Sequence, residues 1–153
     1  MALRRDILTV PGGAVGALGT GQTLTMHRET VTSHSPWESK YGYRRAVRIG
    51  NTIAIAGTAP VNDDGTTYAP GDAFAQATRC FQIALRAAAD LGAGPEHVIR
   101  TRMYVTDISR ADEFGRAHGA FFNDHPPAST MVEVRALIEP DMLIEVELDA
   151  LLA

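Results

Sequence analysis

Three carboxylates alternate with apolar residues near the end of the chain. Glu145, Glu147 and Asp149 stand two residues apart, separated by valine and leucine. A carboxylate in a partly enclosed site can act as a general base or orient a water molecule, so these residues are candidates for hydrolytic chemistry. Arg100 and Arg102 supply the opposite charge in an upstream apolar stretch. Ion pairing between the two sets is the alternative to catalysis, and both interpretations stay open at this point.

Other chemistries are poorly supported by residue type and spacing. Cys80 is the one cysteine and lies among apolar residues at helical spacing, which indicates an inert buried thiol and a reducing compartment. Ser129 lies in a predicted strand and not in a G-x-S-x-G turn, so a serine–histidine–aspartate triad is not favoured. His118 falls in the apolar stripe of a predicted helix, which indicates a packed histidine. No metal-ligand spacing occurs among the histidines, which are His27, His34, His97, His118 and His125.

The carboxylates belong to a pair of predicted β-strands, Ser129–Leu137 and Met142–Leu151. Apolar and polar residues alternate in both segments, and a period of two residues gives a strand one apolar and one polar face. The residues between them, Ile138–Asp141, form the predicted turn. The apolar faces, which need a covering layer, are expected to carry Thr130, Val132, Val134 and Ala136 in the first strand and Met142, Ile144, Val146, Leu148 and Ala150 in the second.

Three further strands are predicted upstream. Tyr43–Ile49 and Thr52–Gly57 flank the dipeptide Gly50-Asn51, which is suited to a tight hairpin turn. Val98–Thr106 is the third strand. Its two faces are expected to carry Ile99, Thr101, Met103 and Val105 on one side and Val98, Arg100, Arg102 and Tyr104 on the other.

Two helices are predicted between these strands. Asp72 is suited to cap the first helix, which runs to Leu91 before a stop rich in glycine and proline. The second helix runs from Ser109 to Phe122, and Ser109 and Asp112 have the spacing of a capping box. The first helix carries one apolar stripe at helical spacing, formed by Phe74, Ala77, Phe81, Ala84, Leu85, Ala88 and Leu91.

The resulting order, β-β-α-β-α-β-β, predicts an α+β domain of two layers, in which two helices lie on one face of a mixed sheet. The other face is then left without a cover. Its mixture of apolar residues and opposite charges suits either a solvated surface or a surface for self-association. The uncovered face is expected to carry the charged residues Arg100, Arg102, Glu133, Arg135, Glu145 and Glu147.

Length and composition indicate one globular domain. The chain has 153 residues, of which 45% are hydrophobic and 21% are charged, as is ordinary for a protein with a single core. Its formal net charge of −4 gives no general attraction to nucleic acid or to an anionic membrane. No apolar run approaches the roughly 20 residues that span a bilayer. We therefore expect a cytoplasmic protein that binds neither nucleic acid nor membrane.

Residues 1–35 differ from the rest in composition. Residues 11–23 are rich in glycine and show neither helical nor strand periodicity. The segment is interpreted as a flexible extension, with Met26 as an alternative initiator, and the domain as residues 36–153. An export signal containing Arg4 and Arg5 is a weaker alternative, because no convincing apolar segment or cleavage site follows. The glycine spacing fits no phosphate-binding loop.

The end of the chain also resembles a family signature. Residues 126–147 contain P-P-A-S-T-M-V-E-V and then I-E-V-E, a pattern that resembles the P-A-R-[ST]-x-V-E-V…I-E-x-E signature of the Rid family, the reactive intermediate deaminases of YjgF type. Similar matches at residues 42–62 and 98–107 extend the resemblance over residues 41–153. It implies a chorismate-mutase-like fold, in which three subunits form a closed barrel with the helices outside and ligand clefts between subunits.

The resemblance also implies roles for individual residues. Deaminases of the family hold the substrate carboxylate with an arginine, and Ser129 stands at that position here. A hydroxyl lacks the charge-assisted pairing of a guanidinium, which contributes about 1.5–3 kcal/mol. Glu145 corresponds to the glutamate that positions the hydrolytic water. Tyr43, Gly57 and Met131 correspond to further substrate-binding positions, where the Gly57 backbone N–H could bind a substrate oxygen.

These correspondences predict a homotrimer that binds a small metabolite, without a metal or an organic cofactor. We expect hydrolysis of an imine, enamine or related carbonyl intermediate, with Glu145 as the catalytic carboxylate. The missing arginine disfavours deamination of 2-imino acids unless Arg45, Arg102 or Arg135 supplies the charge. A non-catalytic ligand-binding or interaction protein is the alternative. Ribonuclease activity, ascribed to some family members, fits poorly with the net negative charge.

Overall fold

The computed structural model describes residues 4–9 and 27–153. Within these residues, seven strands form one sheet, accompanied by three α-helices and two short 3-10 turns. The strands are β1 (Arg4–Thr9), β2 (His27–Thr32), β3 (Ala46–Ile49), β4 (Thr52–Thr58), β5 (Val98–Val105), β6 (Ala128–Glu133) and β7 (Ile144–Leu151). The helices are α1 (Pro36–Tyr41), α2 (Ala73–Ala89) and α3 (Ala111–Phe122), and the 3-10 turns are Pro95–His97 and Ile108–Arg110.

The strands lie side by side in the order β1-β2-β3-β4-β7-β5-β6. β5 and β6 are parallel neighbours, whereas the other neighbouring pairs are antiparallel. From β3 onward the elements follow the predicted order β-β-α-β-α-β-β, so the α+β fold with a mixed sheet is confirmed. The predicted hairpin between β3 and β4 turns at Gly50, whose φ of 58° favours glycine.

α2 and α3 form the layer that covers one face of the sheet. The Asp72 side chain accepts a hydrogen bond of 2.9 Å from a backbone N–H in the first turn of α2, which confirms the predicted N-cap. Phe81 of α2 and Phe114 of α3 are fully buried in the core. Phe74 was predicted to be part of the buried stripe but is 40% exposed, because α2 turns Ala73 toward the core in its place.

The predicted capping box of Ser109 and Asp112 is wrong. The Asp107 carboxylate accepts hydrogen bonds from the Ser109 N–H at 3.0 Å and from the Ser109 hydroxyl at 2.6 Å, so Asp107 caps the 3-10 turn that precedes α3. α3 continues directly from that turn, and its N-cap residue Arg110 makes no side-chain capping hydrogen bond. The capping residue therefore lies two positions before the predicted one.

β7 shows the predicted alternation, whereas β5 departs from it at its start. Ile144, Val146, Leu148 and Ala150 of β7 are buried beneath the helices, and its carboxylates lie on the opposite face, here called the uncovered face. In β5 the register shifts between Val98 and Arg100. This bulge turns both Val98 and Thr101 toward the core and leaves Ile99 52% exposed.

β6 has the opposite phase to the one predicted. Met131 packs against the core, whereas Thr130 and Val132, the predicted buried residues, are exposed. Glu133 is also not part of the predicted charged face, because its carboxylate accepts a 2.9 Å hydrogen bond from the backbone N–H of Ile108. β6 is the last strand in the sheet order and pairs only with β5, so alternation in its sequence is weakly constrained by packing.

The structure differs from the prediction for residues 27–35. β1 and β2 form an antiparallel pair that extends the sheet beyond β3, and α1 follows with Ser35 as its N-cap and Pro36 in its first turn. β2 and α1 escaped prediction because they are short and follow a glycine-rich segment, and β1 because it is short and precedes that segment. Residues 1–3 and 10–26 lie outside the described residues, so the interpretation of that segment as a flexible extension stays a prediction.

Candidate functional site

Five residues from four parts of the chain lie near one another where β4 pairs with β7. They are Glu145 of β7, Gly57 of β4, Arg45 and Tyr43 from the segment that leads into β3, and Glu38 of α1. We call this group the Glu145 cluster. It brings together three of the predicted site residues, namely Glu145, Gly57 and Tyr43.

Gly57 leaves the space that the Glu145 carboxylate occupies. The pairing of β4 with β7 shifts register between Ile55 and Thr58, which marks a bulge around Gly57. A methyl group at position 57 would overlap Oε1 of Glu145 and lie 3.1 Å from its Cδ. Glycine is therefore needed here for close approach of the carboxylate. The predicted use of the Gly57 N–H by a substrate stays a prediction.

Arg45 lies against both of these residues. Its Nη2 donates a hydrogen bond to the Gly57 carbonyl oxygen, and its Nε is buried without a hydrogen-bond partner. Burial lowers the pKa of Arg45, while the neighbouring Tyr43, Glu38 and Glu145 act in the opposite direction. Of the three arginines considered as replacements for the missing one, Arg45 is the one that the fold brings to Glu145.

Burial raises the pKa of the Glu145 carboxyl above its ordinary value. The Arg45 charge opposes this increase, and the Glu147 carboxylate adds to it. A carboxylate with a raised pKa is a stronger base than an exposed one and is better matched to proton transfer near neutral pH. The pKa of Glu145 is therefore set by burial and by two neighbouring charges of opposite sign.

Glu38 places a second negative charge near Arg45. Its carboxylate accepts hydrogen bonds from the Ser33 N–H at 2.8 Å, from the Ser33 hydroxyl at 2.6 Å and from the Thr32 hydroxyl. Burial acts to raise the pKa of Glu38, but these hydrogen bonds and the Arg45 charge outweigh it and lower the pKa. Glu38 therefore stays ionised and holds a permanent negative charge near the guanidinium.

The remaining charges of the uncovered face are mostly engaged with one another. Arg102 Nη1 lies 3.0 Å from Asp149 Oδ2 and 3.5 Å from Glu147 Oε2. The Tyr104 hydroxyl donates to Glu147 at 3.3 Å. The Arg102 contacts are the structural ion pairs that the sequence left open as an alternative to catalysis. Arg135 lies beyond the end of β6 and is exposed.

Ser129 and Met131 lie on the other face of the sheet. The Thr101 hydroxyl, which is fully buried beneath the helices, donates to Ser129 Oγ at 2.9 Å, and Met131 packs against the core. His118 of α3 also contacts Thr101, at 2.9 Å from its Nε2. Within one chain, the structure therefore does not bring Ser129 or Met131 to the Glu145 cluster.

Sequence reasoning missed Glu38 and the contact between Thr101 and His118. Ser35 and Pro36 form a recognisable helix start, and Glu38 follows in the first turn, so this part of the cluster carried a local signal. The contact of Thr101 with His118 carried none, because it depends on how α3 packs against β5. In the described residues, no group of three or more histidine, cysteine, aspartate or glutamate side chains is placed to hold a metal ion. No described helix is long and apolar enough to cross a membrane.

Comparison with known proteins identifies the family. Residues 32–152 match the family model described as Endoribonuclease L-PSP. The chain belongs to this family. An uncharacterized protein of Streptomyces coelicolor is 38% identical over 120 residues, covering 78% of this chain and 89% of that protein. A RutC family protein of Pyrococcus abyssi is 28% identical and covers 69% of this chain and 82% of its own length.

Solved structures of the endoribonuclease L-PSP family agree with this assignment. Rv2704 of Mycobacterium tuberculosis, described as a member of the YjgF/YER057c/UK114 family, is 42% identical with a TM-score of 0.74, covering 82% of this chain and 99% of that one. The YjgF gene product of E. coli is 30% identical with a TM-score of 0.65, covering 71% of this chain and 87% of that one. The Rid resemblance predicted from the sequence is thereby confirmed. Membership supports a role in binding a small molecule or in deaminase-like chemistry.

Proposed function

We propose that this protein is a homotrimer that hydrolyses an imine, enamine or related carbonyl intermediate in clefts between subunits, with Glu145 orienting the attacking water. The observation that carries the proposal is the Glu145 carboxylate, which is half-buried over Gly57, beside Arg45, with a raised pKa. Such a carboxylate can accept a proton from water as the water attacks an electrophilic carbon. Tyr43 of the same cluster is 37% exposed, so part of its side chain is accessible to a ligand.

The position of Ser129 supports a cleft between subunits. Ser129 and Met131 lie on the helix-covered face, and Glu145 lies on the uncovered face, so one chain alone does not line one pocket with both. A neighbouring copy can bring its own edge strand against the Glu145 cluster. A trimer would also cover Val132 and Thr130, which one chain leaves exposed on β6.

The charges of the cluster favour a substrate without a carboxylate. One guanidinium, Arg45, faces two carboxylates, Glu38 and Glu145, so the ionised cluster is net negative. The guanidinium also donates to the Gly57 carbonyl, which leaves it less available to an anionic group. A protonated imine carries a positive charge and suits these surroundings, whereas a 2-imino acid adds a carboxylate that Ser129 does not neutralise. The same argument disfavours a polyanion such as RNA.

Turnover of two imines tests the activity. An amine oxidase generates a carboxylate-free imine in situ, and an amino-acid oxidase generates a 2-imino acid. Release of ammonia is followed with wild type, Glu145→Gln and Glu133→Gln. Glu133→Gln is the matched control, since it makes the same chemical change on the other face of the sheet and retains an oxygen that can accept from Ile108.

We expect wild type and Glu133→Gln to accelerate hydrolysis of the carboxylate-free imine more than that of the 2-imino acid. Glu145→Gln is expected to lose on the order of 10²-fold or more in kcat. Binding of the imine without turnover in wild type would instead favour the non-catalytic alternative. Sedimentation is expected to give three times the chain mass of 16.4 kDa.

A further inference from the structure

A continuous chain of hydrogen-bonding groups runs from the surface at Ser129 to α3. Thr101 Oγ1 donates to Ser129 Oγ at 2.9 Å and lies 2.9 Å from His118 Nε2. Ser129 is exposed, Thr101 is fully buried and His118 is partly buried. The parallel register of β5 and β6 pairs Thr101 with Ser129, so the sheet itself fixes the spacing between the two hydroxyls.

This chain can carry a proton inward without any side chain leaving its place. A hydroxyl both donates and accepts hydrogen bonds, and its hydrogen rotates about the C–O bond. The polarity of the chain can therefore reverse, so that Ser129 donates to Thr101 and Thr101 donates to His118 Nε2. In that polarity the imidazole is the final acceptor of a proton that leaves Ser129.

The surroundings of His118 keep its imidazole neutral and able to accept that proton. The side chains that face it are Phe81 of α2, at 5.5 Å between ring centroids, Phe122 of α3, at 4.7 Å, and Thr101 of β5. None of these three side chains carries a charge. Burial accordingly lowers the pKa of His118, and the neutral form is the one that acts as a base.

We propose that Ser129, Thr101 and His118 form a second reactive site, in which Ser129 is a nucleophile toward uncharged carbonyl electrophiles. Ser129 Oγ bonds to the carbonyl carbon while the π electron pair of the C=O bond moves onto the oxygen. The Ser129 proton passes to Thr101 as the Thr101 proton passes to His118 Nε2, which becomes an imidazolium. The step needs no oxidant or reductant.

We expect the electrophile to be uncharged, because none of the three side chains carries a positive charge while His118 is neutral and none of them would therefore attract an anionic group. The chemistry goes beyond imine hydrolysis, since Ser129 itself forms the bond to the substrate and no residue of the Glu145 cluster takes part in the step. Thr101 and His118 act through Ser129 and are positioning residues. Their effect should depend on the hydroxyl at position 101 and on the protonation of His118.

A fluorophosphonate probe tests this site directly. Ser129 Oγ would bond to phosphorus and displace fluoride, and the modified residue is identified by mass spectrometry after digestion. The full-length wild type is compared with Ser129→Ala, Thr101→Val, Thr101→Ser and His118→Gln. Thr101→Val keeps the shape of the side chain but removes its hydroxyl, whereas Thr101→Ser keeps the hydroxyl. Circular dichroism melting verifies that each variant is folded.

We expect one probe per chain on Ser129 in wild type and none in Ser129→Ala. Thr101→Val and His118→Gln are expected to slow labelling on the order of 10²-fold, and Thr101→Ser to restore it. The labelling rate should fall as the pH drops and His118 is protonated, with a midpoint below that of an ordinary histidine. An unlabelled wild type, or equal labelling of Thr101→Val, His118→Gln and wild type, would overturn the proposal. Labelling and imine hydrolysis are measured on the same wild-type preparation, so failure here and failure of imine hydrolysis are distinguishable.

Discussion

Replacing Gly57 with alanine puts a methyl group where the Glu145 carboxylate now lies. The added carbon would overlap Oε1 and lie 3.1 Å from Cδ, whereas ordinary contacts begin near 3.4 Å. The carboxylate must therefore move, by about 1 Å or more on simple steric grounds. A displacement of about 1 Å in a catalytic group costs on the order of 10²-fold in rate. We expect Gly57→Ala to lose about that factor in kcat on the carboxylate-free imine.

The same substitution should change stability much less than activity. The φ of Gly57 lies outside the left-handed region, so alanine adds no backbone strain, and the group that must yield is the flexible end of a side chain. Overpacking lowers the free energy of unfolding by about 1–3 kcal/mol, and we expect about 1 kcal/mol here. A loss of that size lowers Tm by about 2–4 °C in a chain of this length. The measurements are steady-state kinetics and a thermal melt on the same preparation.

Gly115→Ala is the matched control. A methyl group there meets no atom within 4 Å, and the position is inside α3, where alanine is favoured over glycine by about 0.5–1 kcal/mol. This variant should keep full activity and melt at a slightly higher temperature. Full activity in a folded Gly57→Ala would refute the reasoning, because it would mean that the position of Glu145 is unimportant.

Further predictions concern the charges and the packing around the site. Glu147→Gln removes a like charge, so the acid limb of the pH–rate profile should move to lower pH, and Arg45→Gln should move it to higher pH. Because the folded pKa of Glu145 is raised above 4.5, protonation favours the fold. In urea titrations the stability of wild type relative to Glu145→Gln should therefore fall as the pH rises from below 4.5 through the folded pKa. Phe81→Ala, at a fully buried position, should cost about 3–5 kcal/mol of unfolding free energy, and Asp72→Ala about 1 kcal/mol, both measured by urea denaturation.

The buried and exposed faces of a strand were predictable where the strand is paired along both of its edges. β7 pairs with β4 on one side and β5 on the other, so its alternation of apolar and charged residues corresponds directly to buried and uncovered faces. β6 pairs with β5 alone, and its valine and threonine are strand formers whichever way they point, so its phase could not be derived from the pattern. The predicted faces of β5 were wrong at its start because the strand has a bulge after Val98. A bulge inserts one extra residue into a strand, and amino-acid composition gives no sign of it.

The grouping of residues at the candidate site was predictable only in part. Glu145, Gly57 and Tyr43 were identified through the family resemblance, and the fold brings these three together. The role of Arg45 depends on the bulge that exposes the Gly57 carbonyl, a contact across 12 positions of sequence. The contact of His118 with Thr101 requires the packing of α3 on β5 and has no local signature.

Mixing two inactive variants tests the central claim, that Glu145 of one subunit works in a cleft completed by the Ser129 edge of another. Glu145→Gln removes the carboxylate, and Ser129→Trp blocks the opposite wall. Each homotrimer alone should be inactive on the carboxylate-free imine. After unfolding and refolding together at equal concentration, random assembly in a cyclic trimer should make about one quarter of the clefts intact and restore about that fraction of wild-type activity. No recovery in refolded mixed trimers, or wild-type activity in Glu145→Gln alone, would contradict the account.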